Sequence, residues 1–407
     1  MKILILTQYF PPEVGAPQNR LYELAVRLKE KGAEITVMTA MPNYPQMEIH
    51  KVYLGKRICI EEMDGMKIIR SGIYVSKKKG MIRRLRNYFS FVISSYFAVK
   101  KHAGEIDIII CESPPLFLGM TAMRLKRIKK AKLIFNVSDL WPESAERLGI
   151  VKNRLLLGMA YRLERKIYSR SELITGQTQG IVKNILQRFP EKKAYWLPNG
   201  VDLSIYDHNS VRSSWRSENG FSETDLIFLY AGILGHAQGL EVILDAALSL
   251  IDKQNIKFVL AGSGPVKQDL LYLKEMRELP NVFFLDTIPK SKMPALIGAC
   301  DASIIPLKRL DIFKGAIPSK IFECLAMKKP ILLGVEGEAK ELFIEEGKCG
   351  LAFEPENGDD LVRKIIQLAA DRKLAGELGE NGYNYVSKKF NRNDIADKFW
   401  QVITSLG

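Results

Sequence analysis

Short continuous apolar runs alternate along the chain with longer segments in which apolar residues recur at helical spacing. The first run is residues 2–6 (KILIL) and the second is residues 34–39, and between them the spacing predicts a helix over residues 18–31. A strand, a helix and a second strand in this order imply a right-handed crossover within a parallel sheet. Continuous apolar runs are typical of strands covered on both faces. The pattern therefore predicts an α/β fold built on a doubly wound sheet.

The same alternation continues to the end of the chain. At 407 residues the chain is too long for one hydrophobic core, which indicates two domains of about 200 residues each. A tight turn at residues 198–200 (PNG) marks the boundary between them. Further strands are predicted at residues 107–111, 132–137, 172–175, 226–231, 256–261, 282–285, 301–306 and 331–333. Further helices are predicted at residues 116–130, 152–169, 177–188, 240–252 and 392–405.

Composition narrows the class of protein. An apolar fraction of 47% and a charged fraction of 26% are ordinary for a globular protein. The five cysteines are odd in number, scattered and without paired metal spacing, which predicts reduced thiols. The apolar start is too short for a signal peptide, and no apolar run reaches the length that spans a bilayer. We therefore expect a cytoplasmic protein.

The net charge of +14 is concentrated in one region. Residues 77–132 hold fourteen Lys or Arg against three acids. Within residues 77–101 apolar residues recur at helical spacing: Ile82, Leu85, Phe89, Val92, Ile93 and Tyr96. Residues 77–101 and 124–132 are therefore predicted to bind an anionic membrane surface, at the inner face of the plasma membrane and peripherally. A helix that completes the first domain is the alternative for the apolar residues.

The stretch most specific for chemistry is residues 315–334 (GAIPSKIFECLAMKKPILLG), which predicts a loop, a helix, a turn and a strand. Ser319, Lys320 and Glu323 share one helical face. A carboxylate accepts hydrogen bonds from the two hydroxyls of a ribose, and a lysine near the positive end of a helix binds a diphosphate. An amphipathic helix with solvated Lys and Glu is the alternative for any one of these residues alone.

This block resembles the donor-site signature of glycosyltransferase family 4, the retaining nucleotide-sugar transferases of the GT-B fold. Residues 198–202 (PNGVD) are similar to the hinge between the two halves of these proteins. The resemblance covers nearly the whole chain and implies two Rossmann-like domains that face a cleft. It implies an acceptor-binding domain at residues 1–200, a nucleotide-sugar-binding domain at 201–385, and a C-terminal helix at 386–407 that crosses back to the first domain.

The resemblance also implies the donor-binding residues. The family usually has two glutamates eight positions apart, and Glu323 matches the second, whereas Gly315 stands at the first. In family 4 the glycine loop after the strand that matches residues 226–231 commonly holds an Arg and a Lys. In this chain Ile233 stands at the position of the Arg and Gln238 at the position of the Lys. The predicted donor-binding residues are Gly15, Gly235, Gln238, Gly262, Gly264, Ile288, Gly315, Ser319, Lys320 and Glu323.

The loop residues Gly15, Ile288 and His236 are each assigned on separate grounds. Gly15 lies in the first loop, which in family 4 closes over the donor phosphate. It is a single glycine and does not form the three-glycine fingerprint of nicotinamide enzymes. Ile288 follows the strand whose loop holds the base in this family. His236 is a further candidate for balancing the phosphates, with a solvent-exposed loop position as its alternative.

Asp139 follows the predicted strand 132–137, at the sheet edge where open α/β sheets bind ligands. Many family 4 enzymes have a histidine at this position, beside the donor sugar. An aspartate at this position is a feature that resembles the transferases of bacterial surface-polysaccharide assembly, such as those for O-antigen or capsule. The resemblance implies Asp139 and Lys320 as catalytic residues. A helix cap ahead of Pro142 is the alternative for Asp139, and the two roles are compatible.

The implied reaction transfers an N-acetylated amino sugar or a deoxy sugar from a UDP-type donor to a lipid-linked saccharide. The anomeric configuration of the sugar is retained. No Asp-x-Asp sequence occurs, so we expect no metal and no cofactor beyond the nucleotide-sugar substrate. Same-face displacement and double displacement through a carboxylate both stay open.

Two other classes of protein share features with this chain. A GT-B nucleotide-sugar epimerase has the same architecture but needs acid and base residues around its sugar. It also has no use for a basic membrane-facing stripe. A nucleic-acid-binding protein accounts for the charge, yet the basic run lacks a recognised binding motif, so no nucleic-acid partner is expected. Release of free UDP together with a glycosylated acceptor separates the transferase from the epimerase.

Overall fold

The computed structural model describes residues 1–13, 15–44, 46–78, 80–147, 149, 151–209 and 214–406. The chain divides into two compact units, one made of Met1–Asn199 with Arg392–Gly407 and the other of Gly200–Asn391. The boundary predicted at residue 386 lies inside a helix of the second unit that runs to Lys389.

The first unit is built on a mainly parallel sheet. Its strands are β1 (Lys2–Leu6), β2 (Glu34–Ala40), β3 (Ile58–Met63), β4 (Met66–Ser71), β5 (Ile108–Ser113), β6 (Lys132–Val137), β7 (Leu173–Gly176) and β8 (Ala194–Trp196). Among the described residues their order is β3-β4-β2-β1-β5-β6-β7-β8, with β3 antiparallel to β4. The central strands are apolar on both faces, and Leu4 of β1 is fully buried between Thr36 of β2 and Ile109 of β5. The doubly wound sheet predicted from the apolar runs is confirmed.

Helices cover both faces of this sheet. They are α1 (Ala16–Glu30), α2 (Met81–His102), α3 (Leu118–Lys129), α4 (Glu143–Arg147), α5 (Arg154–Arg170) and α6 (Gln179–Arg188). One face packs against α2, α3, α5 and α6 through a single apolar cluster. The other face packs against α1 and the last helix of the chain, Arg392–Thr404, which buries Ile395, Phe399 and Ile403. The predicted return of the C-terminal helix to the first domain is confirmed.

The second unit is built on an all-parallel sheet. Its strands are β9 (Leu226–Ala231), β10 (Ile256–Ala261), β11 (Val282–Leu285), β12 (Ala302–Pro306), β13 (Ile331–Gly334) and β14 (Gly350–Ala352). Its helices are α7 (Trp215–Glu218), α8 (Glu241–Ser249), α9 (Lys267–Met276), α10 (Met293–Ala299), α11 (Lys320–Ala326), α12 (Glu338–Lys340), α13 (Gly358–Ala370) and α14 (Arg372–Lys389); the C-terminal helix of the first unit is α15. Within the described part of the chain the strand order is β11-β10-β9-β12-β13-β14. Each strand is followed by a crossover, so the loops at the carboxyl ends of β9 and β10 are neighbours.

Helix α2 buries a different face from the one that the apolar pattern predicts. Of the six predicted stripe residues, only Val92 is buried. The buried face includes the polar Asn87 and Ser95, which are satisfied because the Asn87 carbonyl oxygen accepts a hydrogen bond from Gln8 and the Ser95 hydroxyl bonds to the Val92 carbonyl. The exposed face carries apolar residues that we call the α2 stripe: Ile82, Phe89, Ile93 and Phe97. Phe89 contacts the Phe117 ring, with 4.9 Å between ring centroids, whereas packing within the first domain does not account for Ile82, Ile93 and Phe97.

Candidate active site

Two glycine loops of the second unit pack directly against each other at the carboxyl ends of β9 and β10. At Gly262, where φ is +145°, a Cβ would lie 1.9 Å from the carbonyl oxygen of Gly232. At Gly264, where φ is +158°, a Cβ would lie 2.2 Å from the carbonyl oxygen of Leu234. The Leu234 amide donates to the Ser263 carbonyl at 2.9 Å. Only glycine permits this approach, so the two loops form one backbone surface.

The β9 loop continues through a turn that holds two more predicted donor residues. A 3₁₀ turn spans His236–Gln238, and His236 is exposed, which matches its solvent-exposed alternative. The side chain of Gln238 folds back over Gly235, so that a Cβ at Gly235 would lie 2.7 Å from the Gln238 Oε1. Ile233, at the family's arginine position, is 53% exposed. In the described structure this loop offers backbone amides and a glutamine amide, and its only cationic candidate is His236.

Lys320 brings the first turn of α11 to this glycine surface. Its Nζ lies 3.6 Å from the centroid of the buried Tyr230 ring, and a Cβ at Gly232 would lie 3.0 Å from the same nitrogen. The Tyr230 hydroxyl donates to the Ile233 carbonyl at 2.6 Å, which holds the ring in place. Burial lowers the pKa of Lys320 from 10.5 to about 7, while the nearby Cys324 and Glu323 oppose this change.

The ammonium group of Lys320 makes no hydrogen bond or ion pair with any residue that the structure describes. Lys320 is half-buried, and a cation that is partly removed from water without an anionic partner is unfavourable; the face of one aromatic ring offsets only about 2 kcal/mol. An anion placed against the Gly232 backbone would supply the missing partner. The geometry therefore fits the phosphate role predicted for Lys320.

The other predicted residues of α11 and its approach surround this lysine in the chain. Glu323 is half-buried one turn further along α11, and Ser319 precedes the helix without capping it through its side chain. Gly315 ends the 3₁₀ turn Asp311–Gly315, and a Cβ there would meet nothing within 4 Å. The position of the missing first glutamate is therefore open space. Ile288 is half-buried after β11, the neighbour of β10 in the sheet.

In the first unit, Asp139 lies in the turn after β6 and ahead of α4. Its carboxylate accepts a hydrogen bond from the Ser144 hydroxyl at 2.5 Å and a further one from the Leu140 amide. The backbone amide of Ser144 is bonded to the Leu140 carbonyl at 2.8 Å, so this amide is satisfied without Asp139. Burial raises the pKa of Asp139, and the two hydrogen bonds oppose this change. The carboxylate therefore bonds a side chain of α4 and the next residue of its own turn.

A buried polar network that sequence reasoning missed supports the Asp139 turn. Glu112 at the end of β5 is 3% exposed and accepts a hydrogen bond from Arg20 of α1 at 2.7 Å. Arg20 also donates to the Ser138 hydroxyl at 2.6 Å, and Asn136 donates to Glu112. The network ties α1, β5 and β6 together directly beside Asp139. These contacts join residues up to 118 positions apart, and no local spacing predicts them.

Gly15 lies at the start of α1, in the loop after β1. Its φ of 176° is extended, so the backbone there does not require glycine. A Cβ would lie 2.4 Å from the Gln18 side chain, which shows that this side chain folds against the loop. Gly15 and Asp139 thus both lie in loops at the carboxyl edge of the first sheet.

Comparison with known proteins identifies the family. The model for Glycosyltransferase Family 4 matches residues 18–205, and the model for Glycosyl transferases group 1 matches residues 211–385. The chain is a family 4 glycosyltransferase. The predicted family is confirmed, and neither the epimerase nor the nucleic-acid-binding protein is favoured.

Relatives and a solved structure place this family 4 glycosyltransferase more closely. It is 26% identical to the putative colanic acid biosynthesis glycosyl transferase WcaI of Escherichia coli K12, over 93% of this chain and 96% of the relative. It is 19% identical to the O-antigen chain mannosyltransferase C of Escherichia coli, over 100% and 99%. Its fold matches Anabaena HepE, crystallised with UDP-glucose, with a TM-score of 0.73, 16% identity and complete coverage of both chains. The fold is GT-B, and the chain is a glycosyltransferase of bacterial polysaccharide biosynthesis.

Proposed function

We propose that this enzyme transfers an N-acetylated amino or deoxy sugar from a UDP-type donor to a lipid-linked saccharide, with retention of configuration. The observation that carries the proposal is the ammonium of the half-buried Lys320 against the glycine surface of the β9 and β10 loops. The fold admits such a donor, since Anabaena HepE binds UDP-glucose. The polysaccharide enzymes to which the chain is similar support a saccharide acceptor.

Different residues of the second unit bind different parts of the donor. Glu323 accepts from the ribose hydroxyls, Ile288 contacts the base through its backbone, and Lys320 with the glycine-loop amides balances the diphosphate. We propose that no metal is needed, because the lysine and the amides supply the positive field. No group of three or more His, Cys, Asp or Glu able to hold a metal ion occurs among the described residues.

We propose a same-face displacement for the transfer step. The acceptor hydroxyl oxygen forms a bond to the anomeric carbon as the bond from that carbon to the β-phosphate oxygen breaks. The acceptor proton passes to the departing phosphate oxygen, so no protein base is consumed. Asp139 stabilises the positive charge that develops on the sugar ring and orients its hydroxyls. This assignment makes Asp139 an electrostatic group and not a nucleophile.

A panel of nucleotide sugars in a thermal-unfolding assay tests the donor class. A ligand at a hundred times its dissociation constant adds about 2.7 kcal/mol to the free energy of unfolding. We expect the largest stabilisation from UDP sugars and release of UDP when a lipid-linked acceptor is added. A donor that is only epimerised, or a panel in which no nucleotide sugar stabilises the protein, would contradict the proposal.

Glu323→Gln is expected to raise the donor KM by about ten- to a hundredfold with little change in kcat. The amide lacks the charge that strengthens hydrogen bonds to ribose, and such bonds contribute about 1.5–3 kcal/mol. Initial rates at varied donor concentration measure both constants. Glu377→Gln, an exposed acid of α14, is the matched control and should behave as the parent. An unchanged donor KM in Glu323→Gln contradicts the ribose assignment.

We further propose that the enzyme works as a peripheral protein at an anionic membrane surface. The α2 stripe is exposed, with Ile82 at 76%, Ile93 at 55% and Phe97 at 61%. Arg83, Arg84 and Arg86 are exposed on the same helix. An exposed apolar stripe beside exposed basic residues is typical of helices that lie in a lipid interface. No helix of the described residues has the length and apolarity needed to cross a bilayer.

The structure corrects part of the charge argument for this surface. Lys77 pairs with Glu48 at 2.5 Å, so an acid from outside residues 77–132 balances part of the basic region, and Lys79 lies outside the described residues. Of the basic residues at 124–132, Lys126 is bound to Glu172 and Lys132 to a backbone carbonyl. The membrane proposal therefore depends on the exposed positions of Arg83, Arg84 and Arg86 beside the α2 stripe.

Replacing Arg83, Arg84 and Arg86 with Ser is expected to lower binding to anionic vesicles more than a hundredfold. Each basic residue near an anionic surface contributes about 1 kcal/mol, and about 3 kcal/mol exceeds two powers of ten. Sedimentation with anionic vesicles at low and high salt measures the loss. Transfer to a short soluble acceptor should be retained.

The matched control removes three exposed lysines of the second unit, as Lys253→Ser, Lys373→Ser and Lys388→Ser. This control should bind vesicles as the parent does, because the same charge is removed elsewhere. Equal binding of the parent to neutral vesicles, or equal losses in the two triple variants, would contradict a specific surface.

A further inference from the structure

A second group of basic side chains lies in the second unit, at the opposite edge of the sheet from the glycine loops. A cavity of about 200 Å³ opens there, next to the amino ends of β9 and β12. Its wall includes Asp301, Lys328, Lys329 and Arg372, with apolar side chains such as Leu368 behind them. At ~3.3 Å per residue, β9 separates this cavity from the glycine loops by about 17 Å. The cavity is therefore distinct from the proposed donor site.

One carboxylate of the cavity is shared by two guanidinium groups. Arg372 donates to one oxygen of Asp301 at 2.7 Å, and Arg216 donates to the other at 2.8 Å. The Ile227 amide also donates to this carboxylate at 2.8 Å. A single negative charge balances one arginine, so this triad keeps an excess of one positive charge.

Lys329 adds a second uncompensated charge. Its side chain lines the cavity, and its ammonium group makes no hydrogen bond or ion pair within the described part of the chain. Burial lowers the pKa of Lys329, opposed by Cys300 and Asp301. Cations that are mostly buried are normally paired. Arg216, Arg372 and Lys329 against Asp301 therefore leave an excess of about two positive charges at the cavity. Arg372 and Lys329 lie in its wall, and Arg216 binds Asp301 from outside the lining residues.

The charge of Lys328 is already balanced by an ion pair, and its backbone has a positive φ. It pairs with Glu380 at 2.7 Å, and its φ of 56° is in the left-handed region where glycine is favoured after a helix. The helix dipole of α11 also attracts cations here, but it amounts to only about half a negative charge. The dipole therefore cannot balance the excess charge of the cavity.

We propose that this cavity is a second anion site, which binds the phosphate group of a small phosphorylated molecule. A phosphate monoester carries about −1.5 to −2 at pH 7, which matches the excess charge of the wall together with Arg216. Arg372 and Lys329 donate hydrogen bonds to its oxygens, and the apolar side chains cover a neighbouring carbon framework. Because only Met327 separates α11 from Lys328 and Lys329, the bound phosphate lies at the end of the helix that carries Lys320 and Glu323.

Phenyl phosphate is a suitable probe, because it joins a dianionic monoester to an apolar ring. Its binding is measured by ³¹P NMR titration and calorimetry on the full chain in a Lys320→Met background, which removes the proposed donor anion site. We expect a saturable site in this background. Adding Lys329→Met should raise its dissociation constant at least about tenfold. Adding Lys373→Met, which removes an exposed charge of α14 outside the cavity, should leave it unchanged.

Each outcome separates the cavity from the donor site. Phenyl phosphate that binds the parent but not Lys320→Met occupies the donor loops, and this overturns the proposal while leaving the transferase function intact. Equal affinity with and without Lys329→Met also overturns it, as do equal losses from Lys329→Met and Lys373→Met. Circular dichroism checks folding. Should Lys329→Met fail to fold, Arg372→Ala, a half-exposed residue of the same wall, must weaken binding for the proposal to stand.

Discussion

Asp139→Ala is expected to lower kcat by about 10²–10³-fold while the protein stays folded. A fixed charge aimed at a developing opposite charge in a site that excludes water contributes on this scale. Because the group acts on the reacting sugar and not on the nucleotide, the donor dissociation constant should change little. Single-turnover rates and donor binding, measured on the same preparation, separate the two quantities. Activity within a few-fold of the parent would leave Asp139 with a structural role only.

The stability of the same variant gives an independent test. The pKa of Asp139 is raised in the folded state, so the folded protein holds this proton more tightly than the unfolded chain does. The contribution of Asp139 to stability is therefore greatest below its unfolded value of 3.8 and is lost as pH rises through the folded pKa. At pH 7 the ionised carboxylate is destabilising. Asp139→Asn should thus keep or raise the melting temperature at pH 7 while activity falls.

Ser144→Ala is the matched control for these two substitutions. It removes the hydroxyl that donates to Asp139 at 2.5 Å but leaves the carboxylate in the site. If Asp139 serves only to hold α4, Ser144→Ala and Asp139→Ala should have equal effects on kcat and on melting temperature. A catalytic carboxylate predicts a much smaller loss of kcat in Ser144→Ala.

The strands were predictable because their apolar runs are continuous and end in polar turn residues. Residues 2–6, 132–137 and 226–231 form β1, β6 and β9 with the predicted bounds. The hairpin β3–β4 was not predicted, since β3 is an edge strand whose residues are exposed or half-buried in alternation. Edge strands bury little apolar surface, so their sequence carries a weak signal.

Helix α2 shows why an apolar stripe does not identify the buried face. The helix has apolar residues on two faces, and the sheet covers the face that holds Phe91 and Val99. Its buried Asn87 is satisfied by Gln8 and by a backbone carbonyl, partners that are distant in sequence. Hydrophobicity alone therefore favours the stripe that the structure leaves exposed.

The site was predictable where its chemistry lies within one local block. Lys320 and Glu323 are three residues apart on α11, and helical spacing alone puts them near one face. The contacts of these residues were not predictable. Tyr230, which lies under the Lys320 ammonium, and Glu112, which supports the Asp139 turn, reach their partners only through the sheet topology. Whether the predicted residues perform their assigned roles stays a prediction that the variants test.

UDP binding at pH 8 is expected to take up about one proton, and Lys320→Met should abolish this uptake. With a pKa of about 7, only about one in ten Lys320 side chains is protonated in the free protein at pH 8. A diphosphate beside the amine favours the charged form and raises the pKa again. Calorimetry in two buffers of different ionisation enthalpy measures the uptake. Lys320→Met should also weaken UDP about ten- to a hundredfold, because a charge-assisted hydrogen bond is lost.

The lowered pKa of Lys320 should also make the stability of the ligand-free protein depend on pH. The folded pKa of Lys320 lies below its unfolded value of 10.5, so between pH 7 and 10.5 the unfolded chain binds the additional proton. The stability of the parent relative to Lys320→Met should therefore rise with pH across this window. Lys314→Met, an exposed lysine of the same unit, controls for general charge effects, and uridine controls for the nucleoside. Equal losses of uridine and UDP binding in Lys320→Met, or undiminished proton uptake, would remove Lys320 from the phosphate site.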